Sequence, residues 1–353
     1  MARNRTASLL PWIAACSIGL AAPSSPAPPP AAAADLFRRL AGVWDATLQM
    51  ASDGDAPPQI LNGTDVSTVG GDGLWLVSDF RSQLEGQAFQ GHGILTWDAA
   101  EGHFHRIWAD ASSPAFWASE GTFDAATSSL TMWIDSVDSL GHPVRWREVM
   151  AWKDADTRTF TMYLPGPETT EAAGMTIVYH RRKDGSTPRT SIAGPAAAPP
   201  DPEHGLVARS AGTWKTTIED RSGPKGSTEI IKGTETDTVG CGGLFLLTDL
   251  AGTMGDTPYS AHGLFGYDPG SKSYQSAWID TRERRLSVAR GTYDPAGDTL
   301  TFRPPLPAGA GGAAAWREVL LWKGTDQRTR TLYRTGPDGA EVARRTTHYK
   351  RAR

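Results

Sequence analysis

The sequence repeats the segment WREVMAWK (residues 146–153) as WREVLLWK (residues 316–323). The repeat extends in both directions at one constant offset, so that Trp44 corresponds to Trp214 and Tyr179 to Tyr349. A repeat of this length is a whole domain, because the units of stacked solenoids run only to about 20–50 residues. The chain of 353 residues is therefore predicted to contain one domain twice.

Each copy is predicted to be all-β. Short segments with strand patterning are separated by turn residues, such as Gly70 to Gly73 and Asp268-Pro269-Gly270, and neither copy contains a long helical period. This spacing is typical of an antiparallel barrel or sandwich. A short helix is predicted over Asp35 to Leu40, with Asp35 as its cap.

Composition divides the chain into four parts. We predict an export signal with a Pro/Ala-rich tether at residues 1–34 and a first β-barrel domain at 35–183. A Pro/Ala/Gly/Ser-rich linker follows at 184–202, and the second β-barrel domain occupies 203–353.

The ends of each copy favour a closed barrel. Gly42-Val43-Trp44 opens the first predicted strand and Tyr179-His180-Arg181 lies in the last; Gly212-Thr213-Trp214 and Tyr349-Lys350-Arg351 repeat the arrangement. The first and last strands pair in a closed up-and-down barrel, since closure removes free edges. The terminal guanidinium can then lie across the opening indole, a cation–π contact of about 0.5–2 kcal/mol.

A Gly-x-Trp start and a terminal Arg resemble the calycins, which include lipocalins and fatty-acid-binding proteins. The sequence is more similar still to the bacterial domain-of-unknown-function family fifteen-seventy-nine. That resemblance covers nearly all of the second copy and, less closely, the first, where Thr96-Trp97-Asp98 replaces Gly-Tyr-Asp. It implies two exported tandem antiparallel calycin-like β-barrels, each preceded by a short helix, and it implies no activity. The matching motifs are Gly212-Thr213-Trp214, Gly243-Leu244-Phe245-Leu246, His262-Gly263, Gly266-Tyr267-Asp268 and Trp278-Ile279-Asp280.

The N-terminus has the features of an export signal. A short basic start precedes the apolar stretch Ala7 to Ala15, which is far shorter than the ~20 residues of a membrane span. Two processing routes remain open. Lipidation at Cys16 would leave a Pro-rich tether and a periplasmic or outer-membrane lipoprotein, whereas cleavage after Ala34 would release a soluble protein. The only membrane contact predicted is this lipid anchor at Cys16.

Composition excludes several function classes. A net charge of −4 without a long run of one sign argues against nucleic-acid partners. Only two cysteines, Cys16 and Cys241, are present, which excludes zinc or iron–sulfur sites built on cysteine. No catalytic residue and no metal site is predicted, and the cofactor is left unassigned. Some small haem-binding barrels are calycin-like, but His180 aligns with Lys350, so only one copy could use it as a haem ligand.

Strand alternation carries a carboxylate into each core. It places Trp146, Glu148 and Trp152 on one face of a strand. The equivalent face of the second copy carries Trp316, Glu318 and Trp322. Because this tryptophan-rich face must point inward, each glutamate needs an Arg, a hydrogen-bond donor or a ligand. An internal ion pair, a polar handle in a cavity and a catalytic acid all remain open.

Other shared residues carry weaker signals. His92 and His262 are expected to point out of their barrels or toward a covering loop, as structural or ligand-contacting residues. Metal binding is the least favoured reading, because no second histidine keeps metal-ligand spacing in both copies. Two aspartate pairs, Asp79/Asp249 and Asp110/Asp280, are interpreted as turn caps at strand ends, with a ligand-binding rim as the alternative.

The sequence thus predicts an exported tandem barrel protein that binds a small, partly apolar molecule in a cavity. An enzyme acting on a small cell-envelope metabolite and a non-binding envelope spacer are the alternatives. The residues predicted to line the ligand site are Glu148, Glu318, Trp146, Trp316, Trp152, Trp322, His92, His262, Trp108 and Trp278.

Overall fold

The computed structural model describes residues 30–51, 57–84, 87–137, 142–165, 171–184, 186, 201–223, 226–305, 316–336 and 338–352. Residues 1–29 of the predicted export signal and nearly all of the predicted linker lie outside these ranges. Among the described residues, no helix is both long and apolar enough to cross a membrane.

The first copy is one helix followed by ten antiparallel strands that close into a barrel. The strands follow chain order around the barrel. The elements are α1 (Ala31–Leu40), β1 (Gly42–Met50), β2 (Gln59–Gly70), β3 (Trp75–Leu84), β4 (Gln87–Asp98), β5 (His103–Asp110), β6 (Ser113–Asp124), β7 (Ser129–Val137), β8 (Pro143–Trp152), β9 (Thr157–Pro165) and β10 (Glu171–Arg181).

The second copy repeats this topology in a second closed barrel of ten strands. A 3₁₀ turn at Cys241–Gly243 joins its second and third strands. The elements are α2 (His204–Arg209), β11 (Gly212–Asp220), β12 (Glu229–Gly240), β13 (Phe245–Met254), β14 (Thr257–Asp268), β15 (Ser273–Asp280), β16 (Ser287–Asp294), β17 (Thr299–Arg303), β18 (Trp316–Trp322), β19 (Gln327–Thr335) and β20 (Glu341–Arg351). Two tandem antiparallel barrels, each preceded by a short helix, confirm the predicted fold class.

Each barrel closes through the residues on which the prediction of closure was based. Trp44 of β1 is paired with Arg181 of β10, and Trp214 of β11 with Arg351 of β20. The guanidinium carbon of Arg181 lies 4.0 Å from the centre of the Trp44 ring, and that of Arg351 lies 4.1 Å from the Trp214 ring. A second guanidinium, Arg158, lies 4.6 Å from the Trp44 ring.

Helix α1 closes one end of the first barrel. Leu36, Phe37 and Leu40 are buried in a core cluster with strand residues such as Phe104. Arg181 donates hydrogen bonds of 2.6 Å to the carbonyls of Arg39 and Ala41, which satisfies the exposed end of the helix. The last strand therefore fixes both the first strand and the helical cap.

The start of α1 differs from the prediction. The helix begins at Ala31 after Pro30, so Asp35 lies inside the helix, where its carboxylate contacts Arg38. The alanine run at residues 31–34 explains the difference, because alanine has the highest helix propensity and extends the helix toward the proline.

The chain turns from helix to strand at a glycine whose backbone conformation is unfavourable for other residues. Gly42 has φ +124°, a conformation that side chains disfavour, and a Cβ atom there would lie 2.7 Å from Nη1 of Arg181. Gly212 repeats this geometry with φ +128°. The glycine of the Gly-x-Trp motif is thus required mainly by this positive φ, and the terminal arginine packs closely against it.

The two barrels pack side by side through one apolar cluster. Polar contacts flank it: Nε2 of Gln275 donates to the Pro114 carbonyl at 2.7 Å, and Nε of Arg285 lies 2.6 Å from Oδ2 of Asp98. The contact is formed around β3 to β6 of the first barrel and β13 to β15 of the second. The buried members of the cluster are Leu74, Trp75, Ile94, Ile107, Ala109, Cys241, Leu244, Phe245, Leu264, Ala277 and Ile279.

Candidate ligand cavities

Strand β8 brings its glutamate inside the first barrel, as predicted. Trp146 and Glu148 line a cavity, and Glu148 is buried. Trp152 does not line it: this residue packs at the helix-capped end, with the Arg39 guanidinium 4.5 Å from its ring. Trp322 has the same place in the second barrel, 5.0 Å from the Arg209 guanidinium.

The first barrel encloses a cavity of about 330 Å³. This volume falls within the ~300–1,000 Å³ range of small-molecule sites. The lining is mainly aliphatic, aromatic and thioether side chains. Its apolar members include Leu48, Leu61, Phe80, Phe89, Trp108, Trp117, Met132, Ile134, Trp146, Met162, Met175 and Ile177.

One ion pair lies on the wall of this cavity. Nη1 of Arg106 donates to Oε2 of Glu148 at 2.7 Å, so the buried carboxylate has the cationic partner that burial requires. The Arg106 guanidinium also lies 5.0 Å from the Trp108 ring and 5.6 Å from the Phe160 ring. Aromatic faces thus hold the arginine in place beside the glutamate.

A second ion pair lies near Trp44. Nη2 of Arg158 donates to Oδ2 of Asp65 at 2.7 Å, and both side chains are buried. Burial raises the pKa of Asp65 above its usual value, while Arg158 opposes that rise. Burial likewise raises the pKa of Tyr179, whose ring lies 3.9 Å from the Arg158 guanidinium.

Trp108 joins the cavity to the strand end. Its indole N–H donates to Oδ2 of Asp110 at 2.9 Å, and Oδ1 of Asp110 accepts from the Ser112 amide at 2.8 Å. Asp110 therefore caps the turn, as predicted, and also orients a cavity tryptophan. At the end opposite α1, the rings of Trp117 and Trp146 stack with centres 5.3 Å apart.

A larger and more polar cavity of about 650 Å³ lies in the second barrel and extends to residues of the first barrel. Oε1 of Glu318 lies 2.6 Å from Nε of Arg330, and the Arg330 guanidinium lies 4.2 Å from the Trp278 ring. Arg345 bridges two further carboxylates, Asp220 at 2.9 Å and Asp280 at 2.8 Å. Trp278, Trp316 and Glu318, three of the predicted ligand-site residues, line this cavity.

The inner glutamate has an arginine partner in both barrels, but the two arginines lie on strands that are not equivalent. In the first barrel the partner is Arg106 on β5, whose equivalent in the second is Ser276. In the second barrel the partner is Arg330 on β19, whose equivalent in the first is Phe160. Both arginines were missed in the sequence, although a comparison of the copies position by position shows the exchange.

A further exchange accounts for the different polarity of the interiors. Met50 and Met175 line the first cavity, and their equivalents in the second barrel are Asp220 and Arg345, which form an ion pair. The two copies therefore share a scaffold while enclosing chemically different spaces.

His92 and His262 lie in neither cavity. Both are buried between the barrels, where their Nε2 atoms are 2.9 Å apart. Each was expected to point out of its barrel or toward a loop; each does point outward, but the other barrel covers it. The expected turn-capping role of Asp79 and Asp249 is wrong, because both lie within strands and contact the Nδ1 atoms of the histidines at 2.8 and 2.7 Å.

These features define a protein of two fused β-barrels, each with an interior cavity of ligand size. The chain belongs to the family described as Protein of unknown function (DUF1579), which matches residues 29–181 and 199–351. No curated protein matches the chain significantly.

Solved structures show distant similarity. Rv2717c from M. tuberculosis is 13% identical over 43% of this chain and 98% of its own, with a TM-score of 0.33. A protein of unknown function from the DUF3598 family of Nostoc punctiforme is 12% identical over 90% of this chain and 98% of its own, with a TM-score of 0.24.

Proposed function

We propose that the first barrel binds a small, uncharged and largely apolar molecule inside its cavity. The observation that carries this proposal is the interior space of about 330 Å³ with a mainly apolar lining and an internal ion pair at its wall. An interior serving only as a structural core would be filled by its own side chains, as protein cores normally are.

The charges around the cavity argue against an ionic ligand. Arg106 is paired with Glu148 and Arg158 with Asp65, and Asp110 is held by hydrogen bonds from Trp108 and Ser112. A charged ligand would have to break one of these pairs, which is costly away from water. A hydroxyl or carbonyl group could instead share the outer hydrogen-bonding positions of Arg106 and Glu148.

Methionine enrichment supports an adaptable site. Five of the seven methionines of the chain line this one cavity. Thioether side chains are flexible and polarisable, so they accommodate ligands of varied shape. The lining methionines are Met50, Met132, Met150, Met162 and Met175.

A cavity-filling substitution tests the proposal. Met162→Trp would occupy the first cavity, and Leu332→Trp, at the equivalent position lining the second cavity, is its matched control. The readouts are native mass spectrometry for co-purifying molecules and tryptophan emission with a panel of fatty alcohols, sterols, quinones and tetrapyrroles. We expect binding to the wild type and to Leu332→Trp but not to Met162→Trp. Equal binding by all three proteins, or no binding by the wild type, would refute the proposed ligand site.

We further propose that the protein is exported. The proposal rests on the basic start, the short apolar segment and the Ile13-Ala14-Ala15-Cys16 sequence. Cell fractionation and palmitate labelling of the wild type and of Cys16→Ala test it. Labelling that is lost in the variant indicates a lipoprotein, export without labelling indicates signal cleavage, and a cytoplasmic location contradicts the proposal.

A further inference from the structure

We propose that Glu101, His103 and His105 form a binding site for a divalent transition-metal ion such as Zn²⁺. The three side chains lie on the β4–β5 hairpin of the first barrel, and their ligand atoms are all within 4.8 Å of one another. Two histidines and one glutamate are a donor set used by zinc proteins, typically with a further position open to water or substrate.

The distances between the ligand atoms are close to those around a tetrahedral ion. Ligand atoms about 2.0–2.2 Å from a tetrahedral centre lie about 3.3–3.6 Å apart. Oε2 of Glu101 lies 3.3 Å from Nε2 of His103, which in turn lies 3.5 Å from Oε2 of Glu120. Oε2 of Glu101 lies 2.9 Å from Nε2 of His105, so a metal ion requires this pair to open by about 0.5 Å.

The strand register explains why the donors converge. His103 and His105 are two residues apart on β5 and therefore project from the same face. Glu120 lies directly opposite His105 on β6. Nε2 of His103 is buried and makes no hydrogen bond. A buried ring nitrogen that has carboxylate oxygens at 3.3 and 3.5 Å but makes no hydrogen bond is costly, and a bound ion would remove that cost.

The second barrel places a positive group at the same point of the fold. The equivalent of Glu120 is Arg290, whose Nη1 atom lies 2.9 Å from Oγ of Ser271 and 3.3 Å from Oγ of Ser273. These serines are the equivalents of Glu101 and His103. The second copy therefore has a guanidinium at this position. The first copy has the carboxylate of Glu120 there instead, next to side chains that can bind a metal ion.

The site adjoins the second cavity. Glu101 and His105 line that cavity, although both belong to the first barrel. Oε1 of Glu101 contacts Arg285 of the second barrel, which leaves Oε2 directed at the histidines. Outer contacts of this kind commonly orient metal ligands. An ion held here would face the polar interior of the neighbouring barrel.

Metal titration of the full chain, purified without a histidine tag, tests the proposal. Isothermal titration with Zn²⁺, and the visible spectrum of the Co²⁺ form, should show one four-coordinate ion per chain. Glu120→Arg introduces the residue type of the second copy and should abolish binding without loss of fold. His103→Gln and His105→Gln should each weaken affinity by at least about ten-fold.

His180→Gln, at an exposed histidine of β10, is the matched control and should bind as the wild type does. Circular dichroism and urea unfolding verify that each variant is folded. Two results would overturn the assignment: a folded wild type that binds no Zn²⁺ or Co²⁺, or unchanged affinity and stoichiometry in folded Glu120→Arg and His103→Gln.

Discussion

Nε2 of His92 lies 2.9 Å from Nε2 of His262, so one sequence position meets its own repeat at the contact between the barrels. Both imidazoles are buried, and each Nδ1 atom contacts an aspartate of its own barrel, Asp79 or Asp249. This nearly symmetric chain of four side chains is a buried polar element beside the apolar cluster of the contact.

The hydrogen bonds of this chain fix its proton count. If each Nδ1–H donates to an aspartate, the bond between the two Nε2 atoms requires one additional proton. The pair then carries three protons and a single positive charge, which lies between the two carboxylates of Asp79 and Asp249. A second charge would place two N–H groups against each other.

We expect the contact to weaken below about pH 6.5. Burial, together with the positive charge of His262, lowers the pKa of His92, whereas an unfolded histidine titrates near 6.5. The stabilising contribution of a neutral His92 is therefore complete above that pH and is lost as the pH falls through the lowered value. Thermal unfolding between pH 7.5 and 5 should show falling stability.

Titration of the two aspartates does not contribute to this pH dependence. The His262 hydrogen bond lowers the pKa of Asp249, and the His92 bond lowers that of Asp79 despite its burial, so both aspartates titrate below their usual range. The double variant His92→Gln/His262→Gln should lose much of the acid sensitivity, and His180→Gln should keep it. Identical pH profiles for wild type and double variant would contradict this interpretation.

We expect the inner ion pair to be transferable between strands. Arg106→Ser leaves Glu148 buried without a partner and should destabilise the first barrel by about 3–5 kcal/mol. Adding Phe160→Arg reproduces the arrangement of the second barrel and should recover most of that loss. Urea unfolding of the two single variants and the double variant measures the coupling. Additive effects would show that the relocated arginine does not reach Glu148.

The terminal arginine should matter more than its partial exposure indicates. Arg181→Met removes the contact with Trp44 and the hydrogen bonds to the Arg39 and Ala41 carbonyls. We expect a loss of about 2–4 kcal/mol, which is less than the sum of a cation–π contact of about 0.5–2 and two charged hydrogen bonds of about 1.5–3 each, because water replaces part of these contacts at a partly exposed side chain. Amide hydrogen exchange should also show earlier opening of α1. Unchanged exchange in α1 would mean that the arginine does not anchor the helix.

The sequence predicted closure and the inward glutamates because each depends on local pattern. The Gly-x-Trp start and the terminal arginine mark adjacent strands, and alternation along β8 determines which face carries Glu148. Both signals can be read within a few residues.

The partners across the barrel could not be predicted in this way. Arg106 reaches Glu148 from β5 and Arg330 reaches Glu318 from β19, and alternation within one strand does not show which strands face each other across the interior. Likewise, alternation placed His92 on an outer face, but the covering surface is a second barrel 170 residues away in the chain.

Xenon binding to a crystal under pressure tests the enclosed apolar space most directly. Apolar cavities that stay dry bind xenon, whereas polar cavities hold water. We expect xenon density in the first barrel among Phe80, Met162 and Ile177, and none beside Arg330 and Arg345 in the second. A first barrel filled by its own side chains, with no xenon inside, would contradict the proposed ligand site.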